Sequence, residues 1–365
     1  MRVVVTGGAG YVGGFAAERL LELGHEVTVL DNLWRGNAGG VTKEAQFINV
    51  DLRDADGVLS ALREARPEAV MHFAAATLVG ESMGHPRSYF GVNVVGIPLD
   101  DQGMRMDALE KALTDLRGKG VTPKYTYTIP TVQNPTATIM PEARRTELLK
   151  LSQQYGVPVF EDDCYADLIW DGKRPPAIYA MDKSAGVIHV GSFSKSIAPA
   201  LRVGFIVAPW AMMSRMLALK TDAGSGALEQ MVLAEYCAPH FATHVPKLTR
   251  GLRAKLDTLM EALNEQFGTA AEFEDPKGGI FLWIKLPDNV DTLKLYQAAL
   301  AAGVAINPGP EWSTDKAYSG SRLRLCFASP SHEEIRAGGA GLAEVCRKEF
   351  GVPERSANVE KRAST

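Results

Sequence analysis

Apolar residues change their spacing along this chain so as to lay out alternating strands and helices. Met1–Thr6 and Glu26–Leu30 are short apolar runs, and between them Phe15–Leu23 places Leu20 and Leu21 on one side of a helix. Ala69–His72 reads as another strand. After Ile97 the apolar positions Met106, Leu109, Leu113 and Leu116 recur at helical spacing, and Gly118 and Gly120 end that helix. Lys124–Thr128 is predicted as a strand and Pro141–Tyr155 as a helix with Pro141 and Glu142 in its first turn. Val157–Phe160 and Val187–Val190 are predicted as buried strands. Further on, Leu228–Tyr236, Lys247–Phe267, Thr292–Ala302 and Glu333–Phe350 read as helices, while Phe281–Lys285 and Arg322–Phe327 alternate like strands. This order defines an α/β protein with polar groups collected at strand ends, closed by a smaller α+β part. Val352–Thr365 is polar and aperiodic, the mark of a frayed tail. No internal repeat is visible.

Bulk properties narrow the classes. A chain of 365 residues with 46% hydrophobic and 22% charged content suits a globular protein of two or three domains. A net charge of −4 argues against nucleic acid or an anionic membrane as the main partner. Cys164, Cys237, Cys326 and Cys346 are widely spaced, with no C-x-x-C pair and no metal-ligand spacing. They read as reduced thiols, which implies a cytoplasmic enzyme without a bound metal. The N-terminus enters a strand and a glycine turn and then meets Glu18 and Glu22, unlike a signal peptide. No apolar run approaches the length of a membrane span.

Two stretches carry candidate chemistry. The first is Gly7-Gly8-Ala9-Gly10-Tyr11-Val12-Gly13, a G-x-x-G-x-x-G turn between a strand and a helix, followed by Asp31 at the end of the next strand. Glycines there let backbone approach a pyrophosphate at a helix N-terminus, and the acid suits ribose hydroxyls, favouring NAD over NADP. The second is Gly191–Gly204, GSFSKSIAPALRVG, in which Lys195 is flanked by Ser192 and Ser194 and followed by Arg202. An amine in that setting can form a Schiff base with an aldehyde cofactor whose phosphate the serines and arginine hold. Upstream, Asp162 can keep a pyridine nitrogen protonated, and Tyr165 and Asn134 can bond the ring hydroxyl.

Residues 1–96 resemble a UDP-glucose 4-epimerase of the extended short-chain dehydrogenase/reductase family. The resemblance is carried by TGGAGYVG, DNL at Asp31–Leu33, DL at Asp51–Leu52, HFAA at His72–Ala75 and VGES…P…Y…NVVG ending at Gly96. It implies a Rossmann-like half-domain with an NAD site lined by Gly7, Gly10, Gly13, Asp31, Asp51 and Asn93. His72 is expected to close a strand over the cofactor. The family's Tyr-x-x-x-Lys pair has only a stray match, Tyr179–Lys183, which follows a Pro-Pro turn in the wrong neighbourhood.

From about Pro98 to Phe350 the chain resembles fold-type-I, pyridoxal-5'-phosphate-dependent aminotransferases of class I/II, near the aminoadipate and kynurenine branch. QNPT at Gln133–Thr136, EDDCY at Glu161–Tyr165, the Lys195 loop, GGIFLW at Gly278–Trp283 and RLRLCFA at Arg322–Ala328 carry it. The resemblance implies that Lys195 is the Schiff-base and proton-transfer lysine and that Asp162 pairs with the pyridine nitrogen. Tyr165 and Asn134 then bond the ring oxygen, Ser192, Ser194 and Arg202 hold the phosphate, and Arg324 clamps the substrate carboxylate. The reaction implied exchanges an amino group between an amino acid and a 2-oxo acid, in a homodimer if the family's interface survives.

The fold expected is a Rossmann-like half-domain (1–97), a truncated large domain (98–240), a small α+β domain (241–350) and a flexible tail (351–365). Relatives carry further segments before the point matched by Pro98. These supply a phosphate-gripping glycine turn, a ring stacked on the pyridine and a tyrosine donated across the dimer, and none is recognisable in residues 1–97. Two other readings follow from the junction. One is an NAD-binding, epimerase-like protein with the rest as scaffold; the other is a recombinant chimera in which neither site is complete.

Overall fold

The computed structural model describes residues 1–33, 37–52, 54–72, 94–171, 173–219 and 225–353. The chain forms two compact units, Met1–Ser82 and Met83–Thr365.

In the first unit, strands β1 (Arg2–Thr6), β2 (Glu26–Asp31), β3 (Gln46–Asn49) and β4 (Ala69–His72) form a parallel sheet in the order β3-β2-β1-β4. Side chains alternate across it. Val3 and Val5 join Ala17 of the helix Tyr11–Glu22, whereas Val4 joins Ala61 and Ala65 of the helix Ala55–Ala65. Burial on both faces explains why β1 reads as an unbroken apolar run. Each valine so buried contributes roughly 1.5–3 kcal/mol.

The second unit opens with a short hairpin, β5 (Leu99–Asp100) and β6 (Gly103–Met104). Its main sheet has the order β10-β9-β8-β7. Strands β7 (Thr126–Thr128), β8 (Val159–Asp162) and β9 (Val187–Ser192) are parallel, and β10 (Gly204–Val207) returns antiparallel. Leu148, Leu149, Val159 and Val187 pack with Leu109 and Leu113 of the helix Met106–Gly118. A smaller antiparallel sheet, β11 (Phe281–Lys285), β12 (Asn307–Pro308) and β13 (Arg322–Cys326), shares a core with Leu256, Leu263 and Leu342. Leu342 lies on the last helix, His332–Phe350, which starts in a capping box between Ser331 and Glu334.

Two expectations are corrected. The helices predicted over Leu228–Tyr236 and Lys247–Phe267 are one helix, Ala227–Phe267, which runs through Pro239 and Pro246. An interior proline costs about 3 kcal/mol, and the buried stripe Leu252, Leu256, Leu259 and Leu263 offsets it. The strand predicted over Val157–Phe160 is shifted to Val159–Asp162. Its acidic end stays in the ladder because Glu161 has buried partners and Asp162 pairs with Val190. Among the described residues, no helix is long and apolar enough to cross a membrane.

Candidate active site

Strand register gathers the predicted site residues of the second unit at one end of its main sheet. Asp162 is the last residue of β8 and lies opposite Val190, two residues before Ser192 on β9. Ser192 in turn pairs with Gly204 on β10, so Ser194, Lys195 and Arg202 all fall in the connection between those strands. Phe193 N donates to Val203 O at 3.2 Å and closes that connection, and Ser194 N donates to Ser192 Oγ at 3.1 Å. Glycine at position 191 makes room for the Phe205 ring, which a Cβ there, 2.2 Å away, would force to move.

Lys195 is exposed, while Ser196 beside it is buried. His244 on the long helix holds the loop, its Nε2 lying 3.0 Å from Ser196 O and its Nδ1 2.9 Å from the Tyr236 hydroxyl. Arg202 has φ 54° and an exposed guanidinium that donates to Pro199 O at 3.4 Å.

Asn134 sits in a tight turn after β7. Gln133 Oε1 accepts from Thr136 N at 2.8 Å and Thr136 Oγ1 at 2.6 Å, and the Asn134–Pro135 bond is cis. Arg145, fully buried on the helix Glu142–Tyr155, anchors the base of this turn. Its guanidinium donates to Met140 O (2.8 Å), Pro130 O (3.0 Å), Thr131 Oγ1 (2.9 Å) and Pro176 O (3.1 Å).

Arg324 rises from the middle of β13 and reaches this turn: Nη1 donates to Asn134 Oδ1 at 2.8 Å and Nη2 to Asn307 Oδ1 at 2.9 Å. Its guanidinium lies 3.9 Å from the ring centroids of both Phe281 and Trp312, and its buried Nε has no hydrogen-bond partner among the described residues. Burial lowers its pKa, with Tyr165, Cys326 and Glu311 opposing. Arg322, two residues away, instead stacks on Tyr318 and bonds that residue's carbonyl.

Tyr165 is buried edge-on to Phe281, ring centroids 5.7 Å apart, and burial pushes its phenol pKa up. Cys164 lies within the electrostatic reach of both Asp162 and Lys195. Burial and Asp162 raise its pKa while Lys195 opposes them, so it stays a thiol. Behind the sheet end, Glu161 is fully buried and accepts from Ile178 N, Tyr179 N and His189 Nδ1 at 2.7, 3.0 and 2.9 Å. Glu161, Asp163 and His189 could geometrically hold a cation, but the hydrogen bonds to Glu161 and an ion pair from Arg174 to Asp163 already engage all three.

The sequence reading did not single out Tyr127, Arg145, His189, Asn307 or Trp312. Tyr127 lies inside the strand predicted over Lys124–Thr128, and only strand register brings it to Asp162.

In the first unit, Gly7 has φ 72° and Gly10 N donates to Gly7 O at 3.1 Å. A Cβ on Gly13 would lie 2.2 Å from Gly7 O, so the helix comes down directly onto the turn. Asp31, expected to take ribose hydroxyls, has both carboxylate oxygens in local hydrogen bonds. One carboxylate oxygen accepts from Ala9 N (3.1 Å) and the other from Leu33 N (2.8 Å), which ties it to the glycine turn. Asp51 accepts from Asn32 Nδ2 at 3.0 Å. Asn93 and the His72 side chain lie outside the described residues.

The second unit thus combines a mixed α/β sheet, a lysine loop, a strand-end carboxylate and an arginine hydrogen-bonded to an asparagine. Residues 87–338 match the family Aminotransferase class I and II, and residues 3–97 match the NAD dependent epimerase/dehydratase family. The chain therefore belongs to the class I and II aminotransferases, a family that uses pyridoxal 5'-phosphate.

Aromatic-amino-acid aminotransferase 1 of Thermococcus litoralis is 34% identical over 72% of this chain and 63% of its own. The multiple substrate aminotransferase of Thermococcus profundus is 34% identical with a TM-score of 0.66, covering 70% of this chain and 64% of its own. The α-aminoadipate aminotransferase LysN of Thermus thermophilus, solved with N-(5'-phosphopyridoxyl)-L-leucine, is 30% identical with a TM-score of 0.65, covering 72% and 67%. The chain thus spans less than two thirds of the first two relatives' lengths.

Proposed function

We propose that the second unit binds pyridoxal 5'-phosphate and moves an amino group between an amino acid and a 2-oxo acid. The observation that carries this is the Arg324–Asn134 hydrogen bond of 2.8 Å. It joins the small antiparallel sheet to the sheet end that bears Asp162 and the Lys195 loop.

The residues suit the cofactor. The buried Nε of Arg324, unpartnered among the described residues, and its aromatic sandwich favour a carboxylate ligand, and Arg202 offers an exposed cation beside two serines. Bound there, the cofactor supplies an aldehyde for amine capture and a ring that accepts electrons from the substrate's α-carbon.

In this reading Asp162 faces the pyridine nitrogen, and Asn134 and Tyr165 face the ring hydroxyl. Ser192, Ser194 and Arg202 hold the phosphate. Arg324 would orient the substrate by its α-carboxylate, and Lys195 Nζ would move the α-proton. Exposed Phe205, Ile206 and Val207 along β10, with Trp210 beyond, support a homodimer as the working form.

Incubation with the cofactor, borohydride reduction and peptide mapping test the assignment. The expected result is a phosphopyridoxyl adduct on Lys195; a folded protein whose Lys195 stays unlabelled contradicts it.

A second reading concerns the first unit alone, as an NAD-binding half-domain. It is favoured by the close Gly13–Gly7 approach, which sets the N-terminus of a helix directly on the glycine turn, where its dipole favours a pyrophosphate. Saturable NAD binding by isothermal calorimetry is expected, and heats indistinguishable from dilution contradict it.

A further inference from the structure

The geometry points to Tyr127 as a positioning residue for Asp162: we propose that its hydroxyl selects which carboxylate oxygen is presented to the pyridine nitrogen. This deepens the aminotransferase reading and rests on it.

The juxtaposition follows from strand register. Tyr127 on β7 pairs with Phe160 on β8, and Asp162 lies two residues further on, so all three side chains share one face of the sheet. A diagonal neighbour in a sheet is within reach of a long aromatic side chain. The Tyr127 hydroxyl spans that diagonal and donates to Asp162 Oδ2 at 2.7 Å. Its ring leans on Phe160, centroids 5.9 Å apart, which limits where the hydroxyl can go.

The chemistry fits an orienting role better than a second acid. Burial, then Asp162, raises the Tyr127 pKa, so the group remains a phenol and can only donate to the carboxylate. A carboxylate has two oxygens. With one fixed by a charge-assisted hydrogen bond, the other has a set direction when a protonated ring nitrogen arrives. Without the bond, Asp162 rotates more freely, and part of the binding energy is spent fixing it.

The test measures cofactor binding, not turnover. Pyridoxal 5'-phosphate is titrated against wild type, Tyr127→Phe, Asp162→Ala and the double variant, following intrinsic fluorescence, and the absorption maximum of the bound cofactor is recorded for each. Phe160→Leu serves as a control that alters the ring packing while leaving the hydroxyl.

Tyr127→Phe is expected to weaken binding about five- to tenfold. It is also expected to shift the absorption maximum, because the carboxylate then meets the ring nitrogen differently. In the Asp162→Ala background the same change is expected to do nothing further. Equal affinity of Tyr127→Phe and wild type overturns the proposal. So does a Tyr127→Phe effect that persists undiminished without Asp162, or a Phe160→Leu variant that reproduces both changes. Absence of saturable binding by folded wild type instead overturns the aminotransferase reading beneath it.

Discussion

Replacing Arg145 by methionine tests how the turn that carries Asn134 is held. Arg145 is fully buried and makes four hydrogen bonds, to Met140 O, Pro130 O, Pro176 O and Thr131 Oγ1. It also lies 4.0 Å from the fully buried Glu161 carboxylate. Burial lowers its pKa, while Glu161 and Asp163 counter that effect. Methionine fills much of the volume and makes none of these bonds.

Pro130 O keeps a second donor, Met140 N at 2.8 Å, so its loss is small. The other acceptors and Glu161 bear the penalty. Removing one member of a buried charged network costs about 3–5 kcal/mol. With a urea m-value of about 2 kcal/mol/M, the unfolding midpoint should fall by roughly 2 M. Circular dichroism in urea measures it. A midpoint that moves by less than about 0.5 M at unchanged m would show that the anchor is dispensable. Arg145→Lys should be intermediate, because an ammonium cannot reach four acceptors in the directions of a planar fork.

Other outcomes follow from the same geometry. Burial raises the pKa of Glu161, but the His189, Tyr179 and Ile178 bonds outweigh it and hold Glu161 below 4.5, and the bond to Glu161 lifts His189 above 6.5. The ionised glutamate therefore stabilises until pH falls through its lowered value. The imidazolium stabilises fully below 6.5 and is lost as pH rises through its raised value. Melting temperature should decline as pH rises from about 6.5 through the raised His189 value, and His189→Asn should flatten that decline; an unchanged slope in the variant refutes the linkage. Gly13→Ala, whose Cβ would meet Gly7 O at 2.2 Å, should destabilise the first unit by about 1–3 kcal/mol, and a neutral effect in thermal melts contradicts that contact. His244→Ala removes the support of Ser196 O and should speed amide hydrogen exchange across Phe193–Ala198, with exchange at the wild-type rate arguing against such a role.

Local chemistry was readable from the residues where one short segment carries it. The glycine turn at Gly7–Gly13, the strand–loop–strand around Lys195 and the turn at Asn134 each bring their own backbone requirements. Arg324 and Arg322, two residues apart on one strand, diverge, one to Asn134 and the other onto Tyr318. What escaped depends on partners far apart in the chain. Arg145 looks like any solvated helical arginine until Pro130 and Pro176 surround it, and Tyr127 like a strand aromatic until register brings Asp162 within 2.7 Å. The long helix escaped for another reason: Pro239 and Pro246 disfavour a continuous helix, and tertiary burial of its leucine stripe overrides them.

The central claim, that one site carries Lys195, Asp162, Asn134 and Arg324 and transfers an amino group, is met most directly by a single-turnover measurement. Protein loaded with pyridoxal 5'-phosphate is mixed with an aromatic or acidic L-amino acid in the absence of any acceptor. One equivalent of the matching 2-oxo acid per loaded site, with none from Lys195→Ala, is the predicted result. No 2-oxo acid from folded, loaded wild type, or equal amounts from the lysine variant, would contradict the account.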